Sequence, residues 1–148
     1  MREKLKANPI LGFSDTETVM LDFDNTELKT VKYWASRALR WFKLGGYVIL
    51  RSSKGCYHVV FNRKVAWSEN ISIVAWVALQ SRNQGLVKWF LMQCIKRSST
   101  LRISAKRDKS SPRVVFRLGK QDQQITYFIK NRHLIKGIIK KMWENLRF

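Results

Sequence analysis

The stretch TVMLDFDNTELKTVKYWASRALRWF, residues 18–42, contains a change of hydrophobic period that decides the fold. Residues 18–24 alternate between apolar and polar positions, which predicts a half-buried strand. Its apolar side consists of Val19, Leu21 and Phe23. Its other side carries Asp22 and Asp24. Beyond residue 25 the apolar residues recur every three or four positions, which predicts a helix from Thr26 to Leu44.

The rest of the chain continues in short segments of alternating type. GYVILRS and YHVVFNR flank the turn SKGC and predict a hairpin over residues 46–63. A helical stretch begins at Ser68, and Gly85 is expected to divide it into two helices. TLRISA and RVVFRLG predict two further strands, and residues 119–148 predict a basic amphipathic helical segment.

The predicted order is β-α-β-β-α-β-β-α, which is typical of an α+β fold. We expect an antiparallel sheet with helices on one face and an open second face, RRM-like or ferredoxin-like in arrangement. Residues 1–148 are the length of a single domain. Within it we distinguish an N-terminal lead-in (1–17), a core (18–118) and the C-terminal basic segment (119–148).

The charge of the chain favours a polyanionic partner. There are 29 Lys and Arg against 10 Asp and Glu, a net charge of +19. An excess of this size indicates nucleic acid, and the short apolar segments argue against a membrane. The N-terminus MREKLKANPI does not resemble a signal peptide, so we expect a cytoplasmic protein. Cys56 and Cys94 lack zinc-site spacing and are expected to be reduced thiols.

Alternation along the predicted strands brings polar groups to the open face. Asp22 and Asp24 project there from the first strand, His58 from the hairpin and Arg102 from a later strand. Neighbouring carboxylates repel each other unless a cation or water separates them. A divalent metal ion is the interpretation that we favour for the pair.

Two segments carry a resemblance to a known family. VMLDFDN and SSKGCYH resemble the first two motifs of the archaeo-eukaryotic primase superfamily, the primase-polymerases. The resemblance covers residues 18–118 and implies a primase-type palm in which Asp22 and Asp24 bind Mg²⁺ or Mn²⁺, with both acids and His58 catalytic. The nucleotide-binding set that it implies is Ser52, Ser53, Lys54, Gly55, His58 and Arg102.

The third, acidic motif of that family is missing near the fourth strand, where the nearest acid is Asp108. We therefore keep two forms of the hypothesis: a nucleotidyltransferase of DNA replication or repair, and a catalytically inactive nucleic-acid-binding replication protein. DFDNT also resembles the first motif of the haloacid dehalogenase phosphatases, with Asp22 as nucleophile and Asp24 as acid/base. That family needs a later lysine and a late acidic pair on a parallel sheet. The acids after Glu27 are not adjacent to one another, and the predicted hairpins argue against such a sheet.

The expected partners are nucleic acid, with DNA the preferred candidate, and a nucleoside triphosphate. Other replication proteins are further candidates. The compact, zinc-free layout suggests a mobile element or a virus, archaeal or otherwise. The residues expected to bind nucleic acid are Lys106, Arg107, Lys109 and Arg113.

Overall fold

The computed structural model describes residues 10–106 and 109–146. The strands in these ranges are β1 (Gly12–Asp15), β2 (Met20–Phe23), β3 (Gly46–Ser53), β4 (Cys56–Phe61), β5 (Ser99–Arg102) and β6 (Arg113–Gly119). The helices are α1 (Leu28–Phe42), α2 (Trp67–Ser81), α3 (Gln84–Lys96) and α4 (Gln124–Asn145). None of these helices is long and apolar enough to span a bilayer.

The main sheet has four strands in the order β2-β4-β3-β6, and each neighbouring pair is antiparallel. Strands β1 and β5 form a separate antiparallel ribbon. The α+β class is therefore confirmed, and the arrangement is compatible with a ferredoxin-like fold. Because the described strand pairs are all antiparallel, they do not form the parallel sheet that the dehalogenase alternative requires.

Helices α1, α2 and α3 cover one face of the sheet. The buried residues of this sheet face are Val19, which directly precedes β2, and the strand residues Leu21, Phe23, Tyr47, Ile49, Tyr57, Val59 and Phe61. The residues on each strand alternate, and for β2 and β4 the period-two pattern correctly predicted which side is buried under the helices. Val31, Ala35 and Ala38 of α1 contribute the facing side of the same core.

The second face is less open than the sequence pattern predicted. Met20, Val48, Leu50 and Val60 project from it and are buried. They pack against Ile125 and Phe128 of α4 and against Phe13, Leu101 and Ile103 of the β1–β5 ribbon and its exit. The physical reason is that β3 and β4 are apolar on both sides, and such strands need cover on both faces. The face stays accessible beside Asp22 and His58.

Two local predictions were also wrong. Residues 12–15, expected to be part of a lead-in, form β1, because Phe13 is buried against Phe128 and backbone pairing with β5 follows. The break between the two middle helices falls at Arg82, in the left-handed conformation, and Asn83, the N-cap of α3. Gly85 lies instead in the first turn of α3, where it touches Asp24.

Candidate functional site

A cavity of about 390 Å³ opens on the second face of the sheet. Most of the residues that the sequence analysis singled out converge on it from four separate segments of the chain. The lining residues are Ile10, Asp22, Asp24, Ser52, Ser53, Cys56, His58, Gly85, Arg102, Lys106 and Lys109. The lining includes two acids, Asp22 and Asp24, and three basic residues, Arg102, Lys106 and Lys109, so the cavity presents both signs of charge to a ligand.

Asp22 and His58 are direct cross-strand neighbours in the β2–β4 pair. Residues in that register point to the same side of the sheet, so the two side chains meet. The distance from Asp22 Oδ1 to His58 Nε2 is 3.6 Å. This separation is too long for a direct hydrogen bond and leaves the Asp22 carboxylate able to take another partner.

The charge state of Asp22 is perturbed. Burial, followed by the negative charge of Asp24, raises the pKa of Asp22 to about 7, while Arg102 and Lys109 act in the opposite direction. Since the unfolded value is 3.8, this carboxylate destabilises the folded protein increasingly as the pH rises from 3.8 to 7. A cation bound to Asp22 would relieve that penalty.

His58 is neutral at physiological pH. Its side chain is almost fully buried, and this burial, together with the positive charge of Arg102, lowers its pKa to about 3. The folded protein therefore loses stability as the pH falls from 6.5, the unfolded value, towards 3. A neutral imidazole offers one N–H donor and one acceptor, so His58 can orient a phosphate oxygen but cannot neutralise it.

Asp24 follows the last residue of β2 and is held by α3. The Asn83 side chain accepts a hydrogen bond from the Asp24 backbone N–H (3.2 Å) and donates one to the Asp24 carbonyl (2.7 Å). The same Asn83 oxygen caps α3 by accepting from the Leu86 N–H at 3.0 Å. The Cys56 thiol donates to Asp24 Oδ1. Asn83 is thus a positioning residue that was not predicted from the sequence, because the local pattern of a helix N-cap does not indicate a contact with a distant residue.

The β3–β4 hairpin places its predicted residues in different positions. Ser52 and Ser53 line the cavity, whereas Lys54 lines a neighbouring cavity of about 380 Å³ together with Arg113. Gly55 lines neither of these two cavities. Its φ of +73° forms the turn, and its carbonyl accepts a hydrogen bond from the Thr26 N–H, which ties the hairpin to the segment after Asp24.

Arg102 has a structural role in addition to lining the cavity. Its guanidinium donates to the backbone carbonyls of Ser104, Ser110 and Ser52. Burial lowers the pKa of Arg102, and the charge of Asp22 partly offsets this effect. Arg102 therefore joins β5, β3 and the segment between β5 and β6, which we call the basic turn (residues 103–112), while keeping a positive charge beside Asp22.

The basic turn carries the remaining cations of the cavity. Lys106 and Lys109 exchange two backbone hydrogen bonds, of 2.9 and 2.7 Å, which closes the turn and brings both residues to the cavity lining. Arg107, predicted to bind nucleic acid, and Asp108, the acid nearest to the missing motif, lie outside the described residues.

The donor set for a divalent cation consists of two carboxylates. No group of three or more His, Cys, Asp or Glu side chains in the described ranges is arranged to hold a metal ion. Asp22 and Asp24 nevertheless share the cavity, and burial, with the charge of Asp24 as the second cause, raises the pKa of Asp22. An ion held by these two carboxylates would have to take its other oxygen ligands from phosphate and water, as Mg²⁺ usually does.

Comparisons of the chain with family models, with curated proteins and with solved structures find no match.

Proposed function

We propose that the cavity binds a nucleoside triphosphate with Mg²⁺ or Mn²⁺ and that the protein is a primase-polymerase-like nucleotidyltransferase acting on DNA. The observation that carries the proposal is the meeting of Asp22 and Asp24 with Lys106 and Lys109 in one cavity. A metal–triphosphate complex has the matching charge pattern, since its phosphates are anionic and its metal is cationic. The volume of about 390 Å³ lies in the range of small-ligand sites.

Each lining group has a role that follows from its chemistry. Asp22 and Asp24 would hold the metal ion, which supplies charge stabilisation to the attacking and leaving oxygens of phosphoryl transfer. Lys106 and Lys109 balance phosphate charge without fixed geometry, as ammonium groups do. His58 donates a neutral N–H to a phosphate oxygen, and the Ser52 and Ser53 hydroxyls offer further donors.

The neighbouring cavity is where we expect a nucleic-acid strand to bind. It is lined by Arg51, Ser52, Ser53, Lys54, Ser110 and Arg113. Ser52 and Ser53 line both cavities, so the two ligands would lie side by side. Three of its six lining residues are basic, which suits the phosphate backbone of a template or primer strand.

The test is extension of a primed DNA template with labelled dNTPs and Mg²⁺ or Mn²⁺. We expect extension by the wild type and its loss in Asp22→Ala and in Asp24→Ala. Glu144→Ala removes an exposed acid of α4 outside the cavity lining and is the matched control, with activity unchanged. Extension that survives both Asp variants would refute the assignment of the acids.

The second candidate is a non-catalytic nucleic-acid-binding protein of replication. It is favoured by the two-carboxylate donor set, which lacks the third acid of the family motif within the described residues. It predicts no extension by the wild type and salt-sensitive DNA binding that Asp22→Ala leaves unaltered. Lys106→Gln would then reduce the slope of log K against log salt by about 0.7 on single strands or 0.9 on duplex.

A further inference from the structure

A second surface with nucleic-acid chemistry lies on the helical side of the molecule. Trp41 of α1 is 70% exposed, although tryptophan is usually well buried. Its ring is parallel to that of Trp76 of α2, with an interplanar angle of 7° and 6.3 Å between ring centroids. Arg37, Arg40, Trp41 and Trp76 line a cavity of about 290 Å³, which we call the Trp41 surface.

The Trp41 surface is separate from the acidic cavity. Helices α1 and α2 pack on the sheet face that buries Leu21 and Val59, whereas Asp22 and His58 alternate with those residues and project from the opposite face. The sheet therefore stands between the two places. A ligand on the Trp41 surface would therefore occupy a site of its own and would not extend into the acidic cavity.

The charged residues of helix α1 are all basic, and the acid near its C-terminal end, Glu69 of α2, is paired with Arg63. Helix α1 carries Lys29, Lys32, Arg37 and Arg40 and no acidic residue. The Arg37 guanidinium donates to the Tyr33 hydroxyl at 2.8 Å and lies 5.7 Å from the Trp34 ring centroid, which places its charge on the same side of α1 as these rings. Arg40 forms no ion pair with any residue in the described ranges. An exposed ring that shares a cavity with two cationic side chains is complementary to a base with its flanking phosphates.

We propose that the Trp41 surface binds single-stranded nucleic acid, with a base stacked on the Trp41 ring and phosphates at Arg37 and Arg40. A single strand is the fitting occupant because its bases have free faces, while duplex bases are already stacked on each other. A protein partner would have to place acidic side chains opposite both arginines. The proposal does not depend on the nucleotide site on the other side of the sheet.

The test is fluorescence anisotropy of a labelled single strand of about 12 nucleotides titrated with the full-length protein. We expect Trp41→Ala to weaken binding about tenfold, the effect of losing one base–aromatic stack, and Trp41→Phe to retain most of the affinity. Leu79→Ala is the control: Leu79 is 73% exposed on α2 but does not line the cavity, so affinity should not change. Arg40→Gln should reduce the salt slope by about 0.7.

A strand with abasic sites separates stacking from a general structural effect. Wild type should bind it less tightly than the normal strand, and Trp41→Ala should lose most of this preference. The proposal is overturned if Trp41→Ala binds both strands as wild type does, or weakens both equally. It is also overturned if sedimentation shows a dimer that Trp41→Ala dissociates, because the surface would then be an interface between copies of the chain.

Discussion

Replacing Gly85 by alanine tests whether the first turn of α3 fixes the position of Asp24. A Cβ at Gly85 would lie 2.2 Å from Asp24 Cβ and 3.2 Å from both Cγ and Oδ2 of the same side chain. Carbon atoms in contact are normally about 3.5–4.0 Å apart, so either Asp24 or the helix must move by more than about 1 Å. The Asp24 Cβ belongs to the stem of the side chain and cannot swing aside as a flexible end would.

The expected magnitude follows from two opposing effects. Alanine in place of glycine in a helix normally stabilises by up to about 1 kcal/mol. Overpacking of this kind costs about 1–3 kcal/mol, so Gly85→Ala should be neutral or lower the free energy of unfolding by up to about 2 kcal/mol. Gly137 of α4 is the matched control, because nothing lies within 4 Å of its added Cβ. Gly137→Ala should therefore raise the free energy of unfolding by about 0.5–1 kcal/mol.

The assay has a stability readout and a site readout. Urea unfolding gives the free energies, and titration with Mn²⁺ and dNTP gives the affinity of the cavity. We expect Gly85→Ala to weaken ligand binding at least tenfold, because a displacement of about 1 Å disrupts a site built on fixed geometry. Gly137→Ala should bind as wild type. Equal stabilisation by both substitutions, with unchanged binding in Gly85→Ala, would refute the proposed contact and its role.

Three further changes probe the site. Asp22→Asn should raise the free energy of unfolding more at about pH 8 than at about pH 5, because the folded carboxyl has a pKa of about 7 and its ionisation penalty grows with pH. Urea titrations that show the same gain at both pH values would contradict this expectation. Asn83→Ala should lower the free energy of unfolding by about 2 kcal/mol and weaken Mn²⁺ binding at Asp24, because three hydrogen bonds of Asn83 are removed. An unaltered Mn²⁺ affinity would show that Asn83 does not position Asp24. Arg102→Lys should lower the free energy of unfolding by about 2 kcal/mol in the same urea assay, because lysine cannot keep all the carbonyl contacts of Arg102. The control Arg113→Lys, at an exposed strand position, should change it by less than about 0.5 kcal/mol. Equal small effects of both substitutions would show that the carbonyl contacts of Arg102 contribute little.

Local sequence patterns predicted the element types well where the period was clear. The strand RVVFRLG was predicted at 113–119 and is found there as β6, and the helix predicted from Thr26 to Leu44 is found at Leu28–Phe42. The four-residue strand β1 was missed, since one apolar residue, Phe13, gives no period. The C-terminal helix was predicted, but its packing over the second face was not, because amphipathicity does not say which surface a helix covers.

The candidate site divides in the same way. Alternation on β2 and β4 is a local property, so the common side of Asp22 and His58 could be predicted from sequence. The hydrogen bonds of Asn83 to Asp24 and the close approach of Gly85 to Asp24 join residues about 60 positions apart. No pattern within either segment encodes these contacts.

The sequence by itself determined the residue types of the site, the face on which the strand residues lie and the large positive charge. These follow from chain periodicity and composition, which need no knowledge of distant neighbours. Only the tertiary structure decided that acids and lysines share one cavity, that Lys54 and Gly55 lie outside it, and that Trp41 remains exposed in a cavity shared with Arg37 and Arg40. Those outcomes depend on which helix covers which face, a choice made by the packing of the whole core.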